Sequence, residues 1–102
     1  MKAIVREDNP MNTFRYWTIK VGRKKYARIN FPNNIHPDTF TIEFYQGING
    51  TITKIPDIHT AVEKCKKWCK EYFEIDEITD EKGYSLELLG CFEDPLLDDV
   101  KP

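Results

Sequence analysis

The segment from Ile58 to Phe73, IHTAVEKCKKWCKEYF, constrains the fold of this 102-residue chain more than any other. Its apolar residues recur at spacings of three and four, which places them in one stripe along a helix. The stripe consists of Ile58, Ala61, Val62, Cys65, Trp68, Cys69, Tyr72 and Phe73. Asp57 precedes it as a favourable N-cap, and Thr60 with Glu63 offers an alternative capping box. A helix with one apolar stripe must bury it, so the rest of the chain has to supply a covering layer.

The first half of the chain contains strand-forming segments for that layer. FRYWTIKV (14–21) and KYARINF (25–31) flank Gly22-Arg23-Lys24, which predicts a hairpin. A three-residue loop keeps the apolar side chains of both strands on one face, whereas a two-residue Gly22-Arg23 loop would divide them between two faces. The predicted pairs are Val21 with Lys25, Ile19 with Ala27, and Trp17 with Ile29.

A second hairpin is expected after the loop FPNNIHPDT (31–39). The dipeptide Asn49-Gly50 is a strong signal for a two-residue turn. Such a turn pairs Phe44 with Ile55 and keeps both on one face. The prediction is therefore a hairpin of residues 40–48 with residues 51–55.

The sequence beyond the helix is acidic and contains one further apolar segment. EIDEITDEKG (74–83) is typical of a turn, and it ends in glycine. YSLELL (84–89) alternates, with Tyr84, Leu86 and Leu88 on one side, and predicts a final strand.

These segments together predict an α+β fold. The expected architecture is a largely antiparallel sheet of four to five strands with one long amphipathic helix on one face, in the order ββββαβ. Residues 14–90 are expected to form a single α+β domain, since a chain of this length supports about one core. Residues 1–13 are expected to be an N-terminal extension or a short strand, and residues 91–102 an acidic C-terminal tail.

The cellular setting is inferred from cysteine usage and hydropathy. Three cysteines are an odd number without a close-spaced disulfide framework, which indicates reduced thiols, and no apolar segment is long enough for a signal sequence or a membrane span. A cytoplasmic protein without a membrane partner is therefore expected.

The segment EKCKKWCKE (63–71) raises the question of a metal or redox site. Cys65 and Cys69 would supply two thiolates, and His59, Cys91 or His36 would have to complete a zinc set. Because both cysteines lie within the apolar stripe, burial as small hydrophobic residues is the preferred interpretation, and a thiol or metal protein remains an alternative. No catalytic motif is recognised, so no enzymatic activity, metal or cofactor is predicted.

The first hairpin has a basic and aromatic side that is a candidate binding surface. The predicted partner-binding residues are Tyr16, Lys20, Arg23, Lys24, Tyr26 and Arg28. Cations grip phosphates or carboxylates and aromatic rings stack on bases, so a nucleic-acid-binding module using residues 16–28 is one alternative. In layout, a basic hairpin (14–31) followed by a helix (57–73) resembles the small three-stranded DNA-binding domains that precede phage integrases. Charged hairpin tips also serve simply to prevent edge pairing.

Charge is divided unevenly along the chain. Residues 1–54 carry nine Lys and Arg against four Asp and Glu, a formal charge of +5, whereas residues 55–102 carry six against 13, a charge of −7. The predicted acidic surface is Glu74, Asp76, Glu77, Asp80 and Glu81. Such polarity indicates two different surfaces rather than a uniform nucleic-acid binder.

The functional hypothesis is a small non-enzymatic binding module. A protein partner is preferred to a nucleic acid, and an inhibitory or accessory role, of the kind found in phages and mobile elements, fits an acidic half that mimics nucleic acid. Homodimerisation stays open, because so small a chain leaves sheet surface uncovered.

Overall fold

The computed structural model describes residues 1–8, 14–45 and 50–93. Within these ranges the chain forms six strands and two helices. In chain order they are β1 (Lys2–Asp8), β2 (Tyr16–Val21), β3 (Lys24–Asn30), β4 (Phe40–Phe44), β5 (Thr51–Ile55), α1 (Ile58–Phe73), β6 (Glu77–Thr79) and α2 (Leu86–Phe92).

The six strands form one sheet in the order β5-β4-β3-β2-β1-β6. Neighbouring strands are antiparallel except β1 and β6, which are parallel. Helix α1 packs on one face, against β3, β4 and β5, and α2 packs against α1. The predicted α+β class with one long helix over a largely antiparallel sheet is confirmed, although the sheet has six strands rather than four or five.

Strand β1 comes from the segment for which an extension or a short strand is expected. It lies between β2 and β6, so it is an internal strand of the sheet. Ala3 and Val5 face the core at 1% and 2% exposure, whereas Ile4 and Arg6 are exposed on the other side. This alternation is that of a strand with one buried face.

Helix α1 has the predicted bounds and the predicted cap. The side chain of Asp57 accepts a hydrogen bond from the backbone N–H of Thr60 at 2.7 Å. At the other end Glu74 adopts a left-handed conformation (φ 58°), and the N–H of Ile75 bonds to the carbonyl of Cys69 at 3.2 Å, which closes the helix. The predicted stripe faces the sheet, with Trp68 half-buried and Tyr72 exposed as its exceptions. Its buried members are Ile58, Ala61, Val62, Cys65, Cys69 and Phe73.

The first hairpin corrects the predicted loop while keeping most of its register. The pairs Trp17–Ile29 and Ile19–Ala27 form as expected, but Val21 pairs with Lys24 around a two-residue turn in which Gly22 has φ +61°. A β-bulge lies between the pair Ile19–Ala27 and the turn, and Tyr26 is its extra residue. The bulge therefore combines the tight turn with one apolar face, two features that the sequence argument treated as incompatible.

The second hairpin has a different register from the predicted one. Phe40, not Phe44, pairs with Ile55, and Ile42 pairs with Ile52. Strand β5 carries one more residue than β4 between these pairs, and Lys54 in that interval has φ 59°. The predicted two-residue turn is wrong in register, and Asn49 lies outside the described residues.

The segment after α1 also differs from the prediction. Residues 84–89, predicted as a strand, mostly belong to α2, and strand β6 forms inside the predicted acidic turn. Ser85 caps α2 by accepting the N–H of Leu88 at 3.2 Å. Helix α2 packs closely against α1 at Gly90. A Cβ atom added at this glycine would lie only 3.1 Å from Val62 Cγ2. Packing against α1 thus selects the helical spacing of Leu86, Leu89 and Gly90 over the alternating one.

Candidate partner-binding surface

We call the side of the sheet opposite α1 the outer face. Strand alternation places polar and aromatic side chains there, and no described helix packs against it. The outer-face residues are Lys2, Ile4, Arg6 and Asp8 on β1, Tyr16, Thr18 and Lys20 on β2, Arg28 and Asn30 on β3, and Thr41 and Glu43 on β4. Tyr45, just after β4, adjoins them.

An arginine lies between two tyrosines at the centre of this face. The guanidinium carbon of Arg28 is 4.6 Å from the ring centroid of Tyr16 and 5.9 Å from that of Tyr45, within the range of cation–π attraction. Arg28 Nε also donates to Glu43 Oε2 at 2.8 Å, and its terminal nitrogen bonds to the same oxygen. We name these four residues the Arg28 cluster. Its side chains are held by one another, so the surface is ordered before any partner arrives.

Electrostatics within the cluster favour the charged forms. Burial is the largest single influence on both groups, and alone it would lower the pKa of Arg28 and raise that of Glu43. The hydrogen bond between them, the hydrogen bond from Asn30 to Glu43 and the charge interactions within the cluster together outweigh burial. The pKa of Arg28 is therefore raised and that of Glu43 is lowered. Burial also raises the pKa of the Tyr45 hydroxyl. The pair remains ionised at neutral pH, so its net charge is zero.

Hydrogen bonds extend the ordered surface on both sides. Asn30 Nδ2 donates to Thr41 Oγ1 at 3.0 Å and to Glu43 Oε2 at 3.2 Å. On the opposite side Thr18 Oγ1 donates to Asp8 Oδ2 at 2.8 Å. Such cross-strand polar contacts fix rotamers along the sheet and leave few side chains to be ordered on binding.

A groove of about 390 Å³ lies at one end of the outer face. Its floor includes Asn30 and Thr41, and its sides carry the apolar residues Phe14 and Ile35, exposed by 46% and 69%. Ile35 lies in a hydrogen-bonded turn. Asn33 Oδ1 accepts the backbone N–H of Ile35 at 2.8 Å and that of His36 at 3.0 Å. We call this feature the outer-face groove. Its other lining residues are Arg28, Asn33, His36, Glu43, Thr51 and Thr53.

The other end of the outer face is basic. Lys20 pairs with Lys25 across β2 and β3, and Arg23 follows at the exposed turn. Arg6 lies on the neighbouring strand, opposite Thr18. Lys20 lies beyond the Arg28 cluster as seen from Asn30 and Thr41 of the groove, and Arg6 lies level with Arg28, two strands away.

The structure places the six predicted partner-binding residues at three locations. Tyr16, Lys20 and Arg28 lie on the outer face, and Arg23 is at the turn. Tyr26, placed by the sequence argument on the same face, lies instead on the helix side, with its ring 5.0 Å from that of Phe73. Lys24 lies on the same side of the sheet as Tyr26, with its amine 5.5 Å from the Tyr26 ring. The bulge at Tyr26 causes this change of side.

The five residues of the predicted acidic surface lie near the β6 edge, and several have partners. Asp76 Oδ2 is 3.2 Å from the Met1 amino group, and Glu77 is 3.5 Å from Lys2 Nζ. Asp80 Oδ1 accepts two backbone N–H groups of its own turn, both at 2.9 Å. Within the described residues, Glu74 and Glu81 form no ion pair. Of the acidic tail, residues 94–102 lie outside the described ranges.

Sequence reasoning missed a polar cluster that ties α2 to the sheet. Arg15 donates two hydrogen bonds to Glu93, at 2.5 and 3.0 Å, and a third to Glu7. Its guanidinium carbon lies 4.1 Å above the Phe31 ring, and Trp17 Nε1 donates to Glu7 at 3.3 Å. Hydrogen bonding to Glu93 raises the pKa of Arg15. No local sequence pattern predicts this cluster, because its members are up to 86 positions apart.

The two helix cysteines are buried as predicted. Cys65 and Cys69 are 0% exposed, with their sulfur atoms 4.0 Å apart as free thiols. The hydrogen bond with Cys69, together with burial, raises the pKa of Cys65 well above its ordinary value. In the part of the chain that the structure describes, no group of three or more His, Cys, Asp and Glu side chains is placed to hold a metal ion.

Comparison of the chain with models of protein families finds no match, nor do comparisons with curated proteins and with solved structures. Among the residues described, no helix is both long and apolar enough to cross a membrane.

Proposed function

We propose that this chain is a small non-enzymatic module that binds a protein through the outer face of its sheet. The observation that carries this proposal is the Arg28 cluster, a pre-ordered group of two tyrosines, an arginine and a glutamate on a face without a described covering helix. Tyrosine and arginine are among the residues that contribute most to protein interfaces. Because Glu43 already satisfies Arg28, the centre of the face is neutral and suits a polypeptide better than a row of phosphates.

The charges around the cluster indicate the kind of protein. Lys20 and Arg23 form no ion pair within the described residues, so the basic end favours an acidic partner surface. An inhibitory or accessory role follows if that partner uses its acidic surface for another contact.

Affinity capture with matched variants tests the proposal. The unmodified protein and the variant Lys64→Ala/Lys67→Ala, altered on the exposed side of α1, should retain the same protein from a nuclease-treated lysate of the source cells. Arg28→Ala/Tyr45→Ala should lose it, with its fold checked by circular dichroism. Equal retention by all three proteins would show that the outer face is not the binding surface.

A nucleic-acid-binding module is a second candidate, favoured by the cations of the hairpin tip. Lys20, Arg23, Lys24 and Lys25 lie within six positions around a tight turn. Binding of a labelled oligonucleotide should then weaken steeply with salt, and Lys24→Ala/Arg28→Ala should flatten that dependence. A salt slope unchanged by this double substitution would count against this candidate.

A further inference from the structure

We propose that the outer face recognises a bipartite segment of its protein partner: one apolar anchor side chain in the outer-face groove and acidic residues over the basic end. This inference rests on the proposed protein-binding function and specifies what that partner presents. It follows from the position of the apolar side chains and the cations at opposite ends of one surface.

The outer-face groove is suited to an uncharged, apolar side chain. Phe14 and Ile35 expose 46% and 69% of their surface at its sides, so covering them with another apolar group removes apolar area from water. Arg28 and Glu43, which also line the groove, are paired with each other, so their charges cancel. A charged anchor would lose hydration beside an ion pair that is already formed.

The geometry of the Ile35 turn supports recognition rather than incidental exposure. Asn33 accepts the N–H groups of Ile35 and His36, and its own N–H donates to the carbonyl of His36 at 3.0 Å. The turn therefore fixes the backbone at Ile35 beside the groove. A fixed backbone contributes to affinity, because less conformational entropy is lost on binding.

The basic end determines the second half of the motif. Asn30, on the groove floor, pairs with Tyr16, and Lys20 lies four residues further along β2. At about 3.3 Å per residue this separation is roughly 13 Å. An extended partner segment that places its anchor in the groove therefore brings the residues about four to six positions away over Lys20 and Arg6. Acidic residues at those positions are complementary to both cations.

Peptide selection tests this motif directly. The probe is a phage-displayed library of random twelve-residue peptides, selected on the full chain at low ionic strength. We expect enriched sequences to carry an aliphatic or aromatic residue with two or more acidic residues about four to six positions away. The best peptide is then synthesised and its affinity measured for a set of variants.

Two variants separate the halves of the site. Ile35→Ser should weaken the selected peptide by about tenfold, whereas Ile35→Met should restore most of the binding. Arg6→Ala/Lys20→Ala should weaken it by a similar factor at low salt and by less at high salt. Lys64→Ala/Lys67→Ala removes the same charge from the exposed side of α1 and should change affinity by less than about twofold.

The results distinguish this inference from the function on which it rests. Loss of peptide binding in Arg28→Ala/Tyr45→Ala but not in Ile35→Ser would overturn the anchor groove while leaving the outer face as the binding surface. Enriched peptides without the motif, or no enrichment at all, would overturn the inference as well. A twelve-nucleotide oligothymidylate is the competitor. If it displaces the peptide and binds Ile35→Ser with undiminished affinity, the inference is overturned in favour of a nucleic-acid partner.

Discussion

Arg28 and Glu43 are direct cross-strand partners on β3 and β4, and Arg28 Nε donates to Glu43 Oε2 at 2.8 Å. This pair lines the outer-face groove on the side towards Lys20, and Arg28 lies against Tyr16 and Tyr45. The order of the surface thus depends on one carboxylate that titrates in the acid range.

Glu43 should contribute to stability in a pH-dependent way. Its pKa in the folded protein is lowered from the ordinary value of 4.5, so its contribution is present above that value and is lost as pH falls through the folded pKa. Glu43→Gln should cost about 1 kcal/mol or less near pH 7, and this difference should shrink towards pH 3. Urea denaturation at several pH values measures it. Glu81→Gln, altered at an exposed carboxylate, is the control, and a difference constant with pH would refute the expectation.

Arg15→Ala should loosen α2. The substitution removes three hydrogen bonds to Glu93 and Glu7 and the contact with Phe31, so the free energy of unfolding should fall by about 1 to 3 kcal/mol. Hydrogen exchange should accelerate in the amides of α2 before it does so in those of β2 and β3. Arg23→Ala, at the exposed turn, should change stability by less than about 0.5 kcal/mol. Uniform acceleration across the chain would show that Arg15 does not act locally on α2.

Asp57→Ala should destabilise the protein by about 1 kcal/mol through loss of the helix cap. The backbone hydrogen bond from Thr60 lowers the pKa of Asp57, which indicates that the charged form caps α1. Asp57→Asn keeps an acceptor at the same place and should retain most of the stability. Thermal unfolding of the three proteins measures the effect, and equal losses from both substitutions would exclude capping as its cause.

Cys65→Ser should cost about 1 to 3 kcal/mol, because it adds a hydroxyl at a fully buried position. Cys91→Ser, at a position that is only half-buried, should cost less. In the folded protein Cys65 and Cys69 should also react with a thiol reagent only as fast as the chain opens. Rapid modification of both thiols without unfolding would contradict their burial.

Local sequence patterns were sufficient to predict α1 and most of the first hairpin. The stripe from Ile58 to Phe73 has a single consistent period, and its cap residue is adjacent, so neighbouring residues decide both bounds. The pairs Trp17–Ile29 and Ile19–Ala27 follow from alternation in the same way. The length of the turn could not be predicted in this way. A bulge shifts the register by one residue, and the hydrophobic pattern does not show it.

The candidate site was only partly accessible to the sequence. Tyr16, Lys20 and Arg28 were identified from alternation, but Tyr26 changes side at the bulge and Glu43 and Tyr45 belong to a different hairpin. The groove formed by Phe14 and Ile35 requires two loops to meet, which no local spacing predicts. Cross-strand contacts between distant segments depend on strand order, which the sequence argument left open.

Helix α1, the buried cysteines and the α+β class are predictable from the amino-acid sequence, because periodicity and capping act between residues that are near in the chain. Long-range packing is needed to place β1 inside the sheet, to make residues 86–92 helical and to pair Arg28 with Glu43. The physical reason is the same in each case. These features depend on packing and hydrogen bonds between segments far apart in sequence, and such contacts override local preference where a short segment fits two periods.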